Sequence, residues 1–257
     1  MLSKNKIKLI RSLDQKKFRI EHKLFVVEGE KICNDLILNQ FSQDKFKFEI
    51  VELYYTLTWK QNHLEDLEEL NVNSQEITDS ELQKISLLKS PNQVLALVRI
   101  PEEKIPSYDD ALVLVLDGVR DPGNLGTIIR TADWFGITEL ICSNDCVDSF
   151  NPKVVQATMG SMFRVNILYY DLETAISKIR KHHPLKPVYG ATLDGENVYN
   201  MALPQDAILV VGNEAKGISE KTKELLTKEI KIPRFGSGES LNVGTATAVL
   251  CSEFKRN

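Results

Sequence analysis

The chain has 257 residues, 42% of them hydrophobic, which is ample for packed cores in one large or two ordinary domains. Its formal net charge of −4 argues against a uniformly basic nucleic-acid binder, and no apolar run approaches the length of a bilayer span. No signal-peptide apolar core follows the basic start at 1–11, so a soluble, cytoplasmic protein is expected. Charge is unevenly spread: residues 1–31 carry nine Lys/Arg against four Asp/Glu, leaving a net −9 on the rest. A basic arm on an acidic body suits a phosphate-backbone binder, or simply a solvated helix face. Cys33, Cys142, Cys146 and Cys251 form no CxxC pair and have no His at zinc spacing, so reduced, buried thiols and no metal are expected.

In chain order, Ile7, Ile10, Arg11 and Asp14 share a helical spacing that predicts one or two short helices over 3–20 with a cationic face. A short buried strand at 25–27 follows, then a helix over 30–38, a strand over 48–55, helices over 64–70 and 79–88, and a strand over 93–100. This alternation suits a small α/β sandwich over 1–100. Two prolines and three charges over 100–107, without apolar periodicity, mark 101–110 as a linker. Beyond it, residues 111–116 read as a strand buried on both faces, as in parallel sheets. Strands at 139–142, 164–168, 187–191, 207–211 and 229–232 alternate with helices at 124–135, 152–159, 172–182, 220–227 and 240–254. That pattern predicts a mostly parallel sheet with helices on both faces over 111–257.

Three glycine- and asparagine-bearing loops stand out, each following a strand-like run. Asp121-Pro122-Gly123 is a strong turn signal, with Asn124 near a helix N-terminus and Arg130 about two turns further on. A guanidinium there could clamp a phosphate; a surface salt bridge is the plainer reading. Gly212-Asn213-Glu214 ends the buried run Ile208–Val211, where a carboxylate is costly without a partner. Ile232-Pro233 leads through Gly236-Ser237-Gly238 to Glu239-Ser240-Leu241-Asn242-Val243. Ser240 reads as an N-cap; Asn242, just inside the expected helix, has poor propensity and needs another reason, such as a ligand. The spacing does not fit the GxGxxG fingerprint, which disfavours a Rossmann-type dinucleotide enzyme.

In this order, N-x-G-x-x-x-R-T-A from Asn124, G-N-E-x-x-G from Gly212, and I-P followed by S-L-N-V resemble the SpoU (TrmH) family, RNA ribose 2′-O-methyltransferases of the SPOUT class. The match covers about 111–255, and Asn151-Pro152-Lys153 with Gly160–Arg164 is similar to an intermediate family segment. Ser3-Lys4-Asn5 through Arg19, then Phe25-Val26-Val27-Glu28-Gly29, resembles the small RNA substrate-binding domain of ribosomal-RNA members. The resemblance implies a trefoil knot in the C-terminal chain, S-adenosylmethionine lodged in it, and a homodimer. By position, Arg130, Asn124, Glu214, Ser240 and Asn242 take catalytic or substrate-positioning places. Gly212, Ile232 and Leu241, with Thr192 and Leu193, take cofactor places, and Lys4, Lys8, Arg11, Lys17 and Arg19 supply RNA contacts. Gly244 departs from the Ser that many members carry. Ribosomal RNA is favoured as substrate; transfer RNA, or a non-catalytic RNA-binding protein that keeps the fold, are the alternatives.

Overall fold

The computed structural model describes residues 1–42, 48–102 and 112–256. They fall into two compact units. The first takes Met1–Glu102 together with Asp148–Phe163, and the second takes 112–147 and 164–256. The segment Asp148–Phe163, read from sequence within the C-terminal domain, thus packs with the N-terminal one. Most of the expected linker, 103–110, and Ala111 lie outside the described residues.

In the first unit, helices α1 (Lys4–Ser12) and α2 (Lys16–His22) precede strand β1 (Leu24–Glu28). Then come α3 (Glu30–Phe41), β2 (Ile50–Tyr55), α4 (Leu57–Asn62), α5 (Leu64–Glu69), β3 (Asn73–Glu76), α6 (Asp79–Ile85) and β4 (Val94–Arg99). The sheet runs β1-β4-β2-β3, with β4 antiparallel to both neighbours and β3 parallel to β2. Ile10 and Leu13 pack with Val26, Tyr54, Leu82, Ile85, Leu95 and Leu97 in one apolar cluster. A full capping box starts α6: Thr78 accepts from Glu81 N while the Glu81 side chain accepts from Thr78 N. The inserted segment is woven in by polar and aromatic contacts. Arg19 Nε and Nη2 donate to Asp148 at 3.0 and 2.5 Å, and Gln156 Nε2 donates to the Glu28 carbonyl at 2.5 Å. Phe25 packs on Phe150, and Phe48 on Phe163.

The second unit holds β5 (Leu112–Asp117), α7 (Pro122–Trp134), β6 (Glu139–Cys142), β7 (Asn166–Tyr169), α9 (Leu172–His182), β8 (Val188–Asn197), β9 (Ala207–Gly212), α10 (Glu220–Lys223), β10 (Lys228–Lys231) and α11 (Val243–Phe254). Helix α8 (Pro152–Thr158) belongs to the inserted segment. The six strands are ordered β10-β8-β9-β5-β6-β7, and every pair is parallel. Parallel strands need covering on both faces. Accordingly Val113, Val115, Ile208 and Val210 join α9 residues Ala175, Ile176 and Ile179 in one core cluster. The alternate residues Leu112, Leu114 and Leu116 are at most 1% exposed, so the other face is covered too. Helices α7 and α11 pack against each other. All four cysteines are free and buried, and no helix among the described residues is long and apolar enough to cross a membrane.

Candidate active site

Chain order sends β5 to β6 and β7 on one side, and the later strands to the other. Strands β5 and β9 therefore lie side by side, with Asp117 opposite Gly212 at their carboxyl ends. Such a reversal point is where open α/β sheets bind ligands. The loops leaving the two strands are tied together. Asn213 Nδ2 donates to the Gly118 carbonyl at 2.7 Å, and its Oδ1 accepts from Ala215 N and Lys216 N at 3.0 and 3.1 Å. Asp117 accepts from Ser219 N and Oγ at 2.8 and 2.7 Å. Gly118 N donates to Ser143 Oγ at 2.8 Å. Bonds from Ser143 and Arg120 hold the Asp145 carboxyl below the usual carboxylate range.

Asp121 caps α7 by accepting from Asn124 N at 2.8 Å, and Pro122 fills the first helical position, where no amide hydrogen is needed. Asn124 therefore sits in the first turn with a free side chain. Its Nδ2 donates to Glu214 Oε1 at 2.7 Å, and its Oδ1 accepts from Asn242 Nδ2 at 2.7 Å. Asn242 Oδ1 accepts from Gly244 N and Thr245 N at 2.9 and 3.3 Å. The chemistry makes this chain directional. Two amide hydrogens fix Asn242 Oδ1 as acceptor, so Nδ2 must donate; Asn124 must then offer its oxygen to Asn242 and its nitrogen to the acceptor-only carboxylate. Three loops separated by 90 and 118 residues meet in one relay. It runs from a carboxylate through two amides to the start of α11.

This corrects the reading of Asn242. Helix α11 begins at Val243, so Asn242 is its N-cap, a favoured place for Asn, and Ser240 is not the cap. Gly244 also gains a reason. A Cβ there would lie 2.9 Å from Thr127 Cγ2 and 3.1 Å from Thr127 Cβ, so α11 approaches α7 too closely for a side chain.

Arg130 is exposed on α7 and, among the described residues, has no hydrogen bond or ion pair. Six residues separate it from Asn124, which is roughly 120° around the helix and about 9 Å along it. No hydrogen bond or ion pair among the described residues joins Arg130 to the relay; it shares its helix face with exposed Gly123, Thr127 and Trp134. Ser240 is exposed and carries no side-chain hydrogen bond among the described residues.

Of the residues expected to hold the cofactor, Gly212, Thr192, Leu193 and Ile232 lie on or just past three adjacent strands, β9, β8 and β10. Gly190 of β8 pairs with Val210 of β9 and with Glu229 of β10, the last β8 residue before the register shifts. As β10 advances one residue to Ile230, its partner on β8 jumps to Glu196, so residues 191–195 swing out of the sheet. The excursion carries Thr192 and Leu193 and returns at Gly195, where a Cβ would come within 2.5 Å of Ile230 N. Ile232 lies just past β10 and is half-buried, while Leu193 and Leu241 are 73% and 53% exposed. Thr192 Oγ1 is buried with no hydrogen-bond partner among the described residues. A buried hydroxyl without a partner, next in the chain to an exposed leucine, fits a ligand with both apolar and hydrogen-bonding edges, as a nucleoside has.

In the first unit, Lys4, Lys8 and Arg11 line one exposed face of α1, and Lys17 is exposed on α2. Arg11 Nη1 also donates to the Ser86 carbonyl at 2.9 Å. Arg19 is a correction to the phosphate-contact set. It is 2% exposed, and besides Asp148 its Nη1 donates to the carbonyls of Leu13 and Asp14 at 2.7 and 2.8 Å. Its guanidinium is spent inside the protein, where it pins α2 to the inserted segment. Asn213 and Asp117, which brace the loops, were absent from the sequence-derived site. The G-N-E motif was the visible signal for Asn213, and nothing in the sequence marks Asp117.

A parallel sheet with loops knitted at its reversal point and an amide relay joining three of them is the architecture of an α/β protein with a ligand site at the strand carboxyl ends. Residues 111–252 match the SpoU rRNA Methylase family, and residues 4–96 match the MRM3-like substrate binding domain. The chain belongs to the SpoU rRNA Methylase family. It is 29% identical to the 23S rRNA (guanosine(2553)-2′-O)-methyltransferase RlmP of Bacillus subtilis, over 95% of this chain and 94% of that one. Among solved structures it is similar to a TrmH-family protein from Porphyromonas gingivalis, with 38% identity, TM-score 0.86 and coverage of 100% and 99%. An AdoMet-bound rRNA methyltransferase from Sinorhizobium meliloti is 28% identical, with TM-score 0.84 and coverage of 100% and 96%.

Proposed function

We propose that this protein transfers a methyl group from S-adenosylmethionine to a ribose 2′-hydroxyl of ribosomal RNA. The observation that carries the reading is the Glu214–Asn124–Asn242 relay, which fixes all three motif loops around one point. The ribosomal substrate is favoured by the relatives, named for action on 23S rRNA or rRNA. In this reading residues 1–100 hold the RNA, 101–110 connect, and 111–257 form the catalytic domain with a knotted C-terminal chain. Two copies pair in the cytoplasm.

S-adenosylmethionine, when bound, supplies an electrophilic methyl group on its sulfonium. Gly212, Thr192, Leu193, Ile232 and Leu241 would hold it, with Thr192 Oγ1 gaining the partner it lacks. The protein's task is then alignment and help with the proton. Asn124 and Asn242, oriented by Glu214 and the α11 N-terminus, and Ser240 beside them, position the ribose. Arg130 stays cationic, fixes a substrate phosphate and stabilises charge growing on the 2′ oxygen, while the proton leaves to solvent. Lys4, Lys8, Arg11 and Lys17 add sequence-independent phosphate affinity.

The test is transfer of labelled methyl from S-adenosylmethionine to unmodified 23S ribosomal RNA, with the product mapped as an alkali-resistant ribose linkage. Arg130→Ala should abolish most turnover while cofactor affinity is kept. Cofactor binding without transfer to any ribosomal or transfer RNA would instead identify a binding protein that keeps the fold.

A further inference from the structure

Phe235 is 90% exposed, the most exposed phenylalanine among the described residues. It sits in the loop that joins β10 to the capped start of α11. That loop is not slack: Arg234 Nη1 donates to the Gly238 carbonyl at 2.9 Å and clasps a short turn with the ring on its outside. A Cβ on Gly236 or Gly238 would meet nothing within 4 Å, so the turn stands clear of the protein body. Among the described residues Arg234, next to Phe235 in the chain and itself exposed, has no ion pair. Ser240 follows the clasp by two residues and Asn242 by four. Chain reach keeps the Phe235 backbone within about 18 Å of Ser240. An exposed aromatic face and, on the neighbouring residue, a guanidinium with no carboxylate partner, in the loop that leads to Ser240 and Asn242, match the two recurring features of single-stranded RNA: a flat base and a phosphate.

We propose that Phe235 is a nucleobase platform. Its ring stacks on the base of the reacting nucleotide or an immediate neighbour, and Arg234 holds the adjoining phosphate. Phe235 is a positioning residue: it seats the strand so that the correct ribose meets Ser240 and Asn242. Every base has a stackable face, so the platform fixes register along the strand and leaves base identity to other contacts. This inference rests on the RNA methyltransferase reading of the same site.

The test uses the full-length protein with Phe235→Leu and Phe235→Tyr. Methyl transfer to transcribed 23S ribosomal RNA is measured alongside calorimetry with S-adenosylmethionine. Loss of one aromatic–base stack should lower kcat/KM for RNA roughly 5- to 150-fold in F235L. F235Y should restore it, and cofactor affinity and melting temperature should stay unchanged in both. A second readout is a single-stranded oligoribonucleotide carrying 2-aminopurine. Its fluorescence should be quenched by wild type and F235Y but not by F235L. Wild-type kcat/KM in F235L would overturn the platform. A matching loss of S-adenosylmethionine affinity would reassign the ring to the cofactor pocket, and a changed sedimentation state would reassign it to contact with a second copy; both overturn the proposal. If no RNA is methylated but the 2-aminopurine pattern holds, the methyltransferase reading fails and the platform stands.

Discussion

Asn242 holds two jobs that a single substitution can separate. Its Oδ1 caps α11, and its Nδ2 donates to Asn124. Alanine removes both. Loss of an N-cap costs about 1 kcal/mol. Loss of one partly exposed amide bond costs about 0.5 kcal/mol more. For a protein of this size, ~1.5 kcal/mol lowers the melting temperature by about 3–6 °C. Aspartate, isosteric with asparagine, keeps the cap and adds a favourable charge at the helix N-terminus. It cannot donate, however. Asn124 must then either face a carboxylate with its oxygen or flip and turn that oxygen on Glu214. Every arrangement sets acceptor against acceptor. N242D should therefore melt at or above the wild-type temperature while turnover falls about 100-fold, the scale of a misplacement of about 1 Å. Calorimetric melting and labelled methyl transfer on the same preparations decide the matter. A fully active N242D, or an N242A as stable as wild type, would refute the relay argument.

Gly244→Ser should cost about 1–3 kcal/mol through overpacking against Thr127, and Thr127→Ala in the same chain should recover part of the loss, read by denaturant titration. Arg19→Ala should destabilise by about 3–5 kcal/mol, since it strands Asp148 and two carbonyls, whereas Lys8→Ala should leave melting unchanged and reduce the salt slope of RNA binding by about 0.7–0.9. Thr192→Val should be neutral or stabilising without ligand, because Oγ1 has no partner to lose, yet weaken S-adenosylmethionine by about 1 kcal/mol in calorimetry.

The second unit was largely legible because its strands are unbroken apolar runs, such as Leu112–Leu116 and Ala207–Val211, separated by strong turn residues. The three loops were legible as chemistry, since Asn, Glu and Gly after a buried strand are poor choices for packing alone. Their meeting was not, because contacts over 90 and 118 residues leave no trace in local periodicity. Strand β3 escaped notice because Asn73-Ser74-Gln75-Glu76 has no apolar residue and holds its place by pairing with β2. Asn242 was misread by one short step: moving the helix start to Val243 turns a poor interior residue into a good cap. Arg19 was misread because a charge in a basic run gives no sign that carbonyls and a carboxylate wait for it inside the fold.

The weaving of Asp148–Phe163 into the first unit bears on how the protein is born. Phe25 and Phe48 meet each other early, but their other aromatic neighbours, Phe150 and Phe163, and the carboxylate of Arg19 lie in residues made much later than β4. The leading unit thus leaves the ribosome unfinished and stays so until Phe163 has emerged from the exit tunnel. Cutting the chain after residue 102 would strand an apolar strip on the downstream piece, so a chaperone that shields the early intermediate should raise yield more than slower synthesis does.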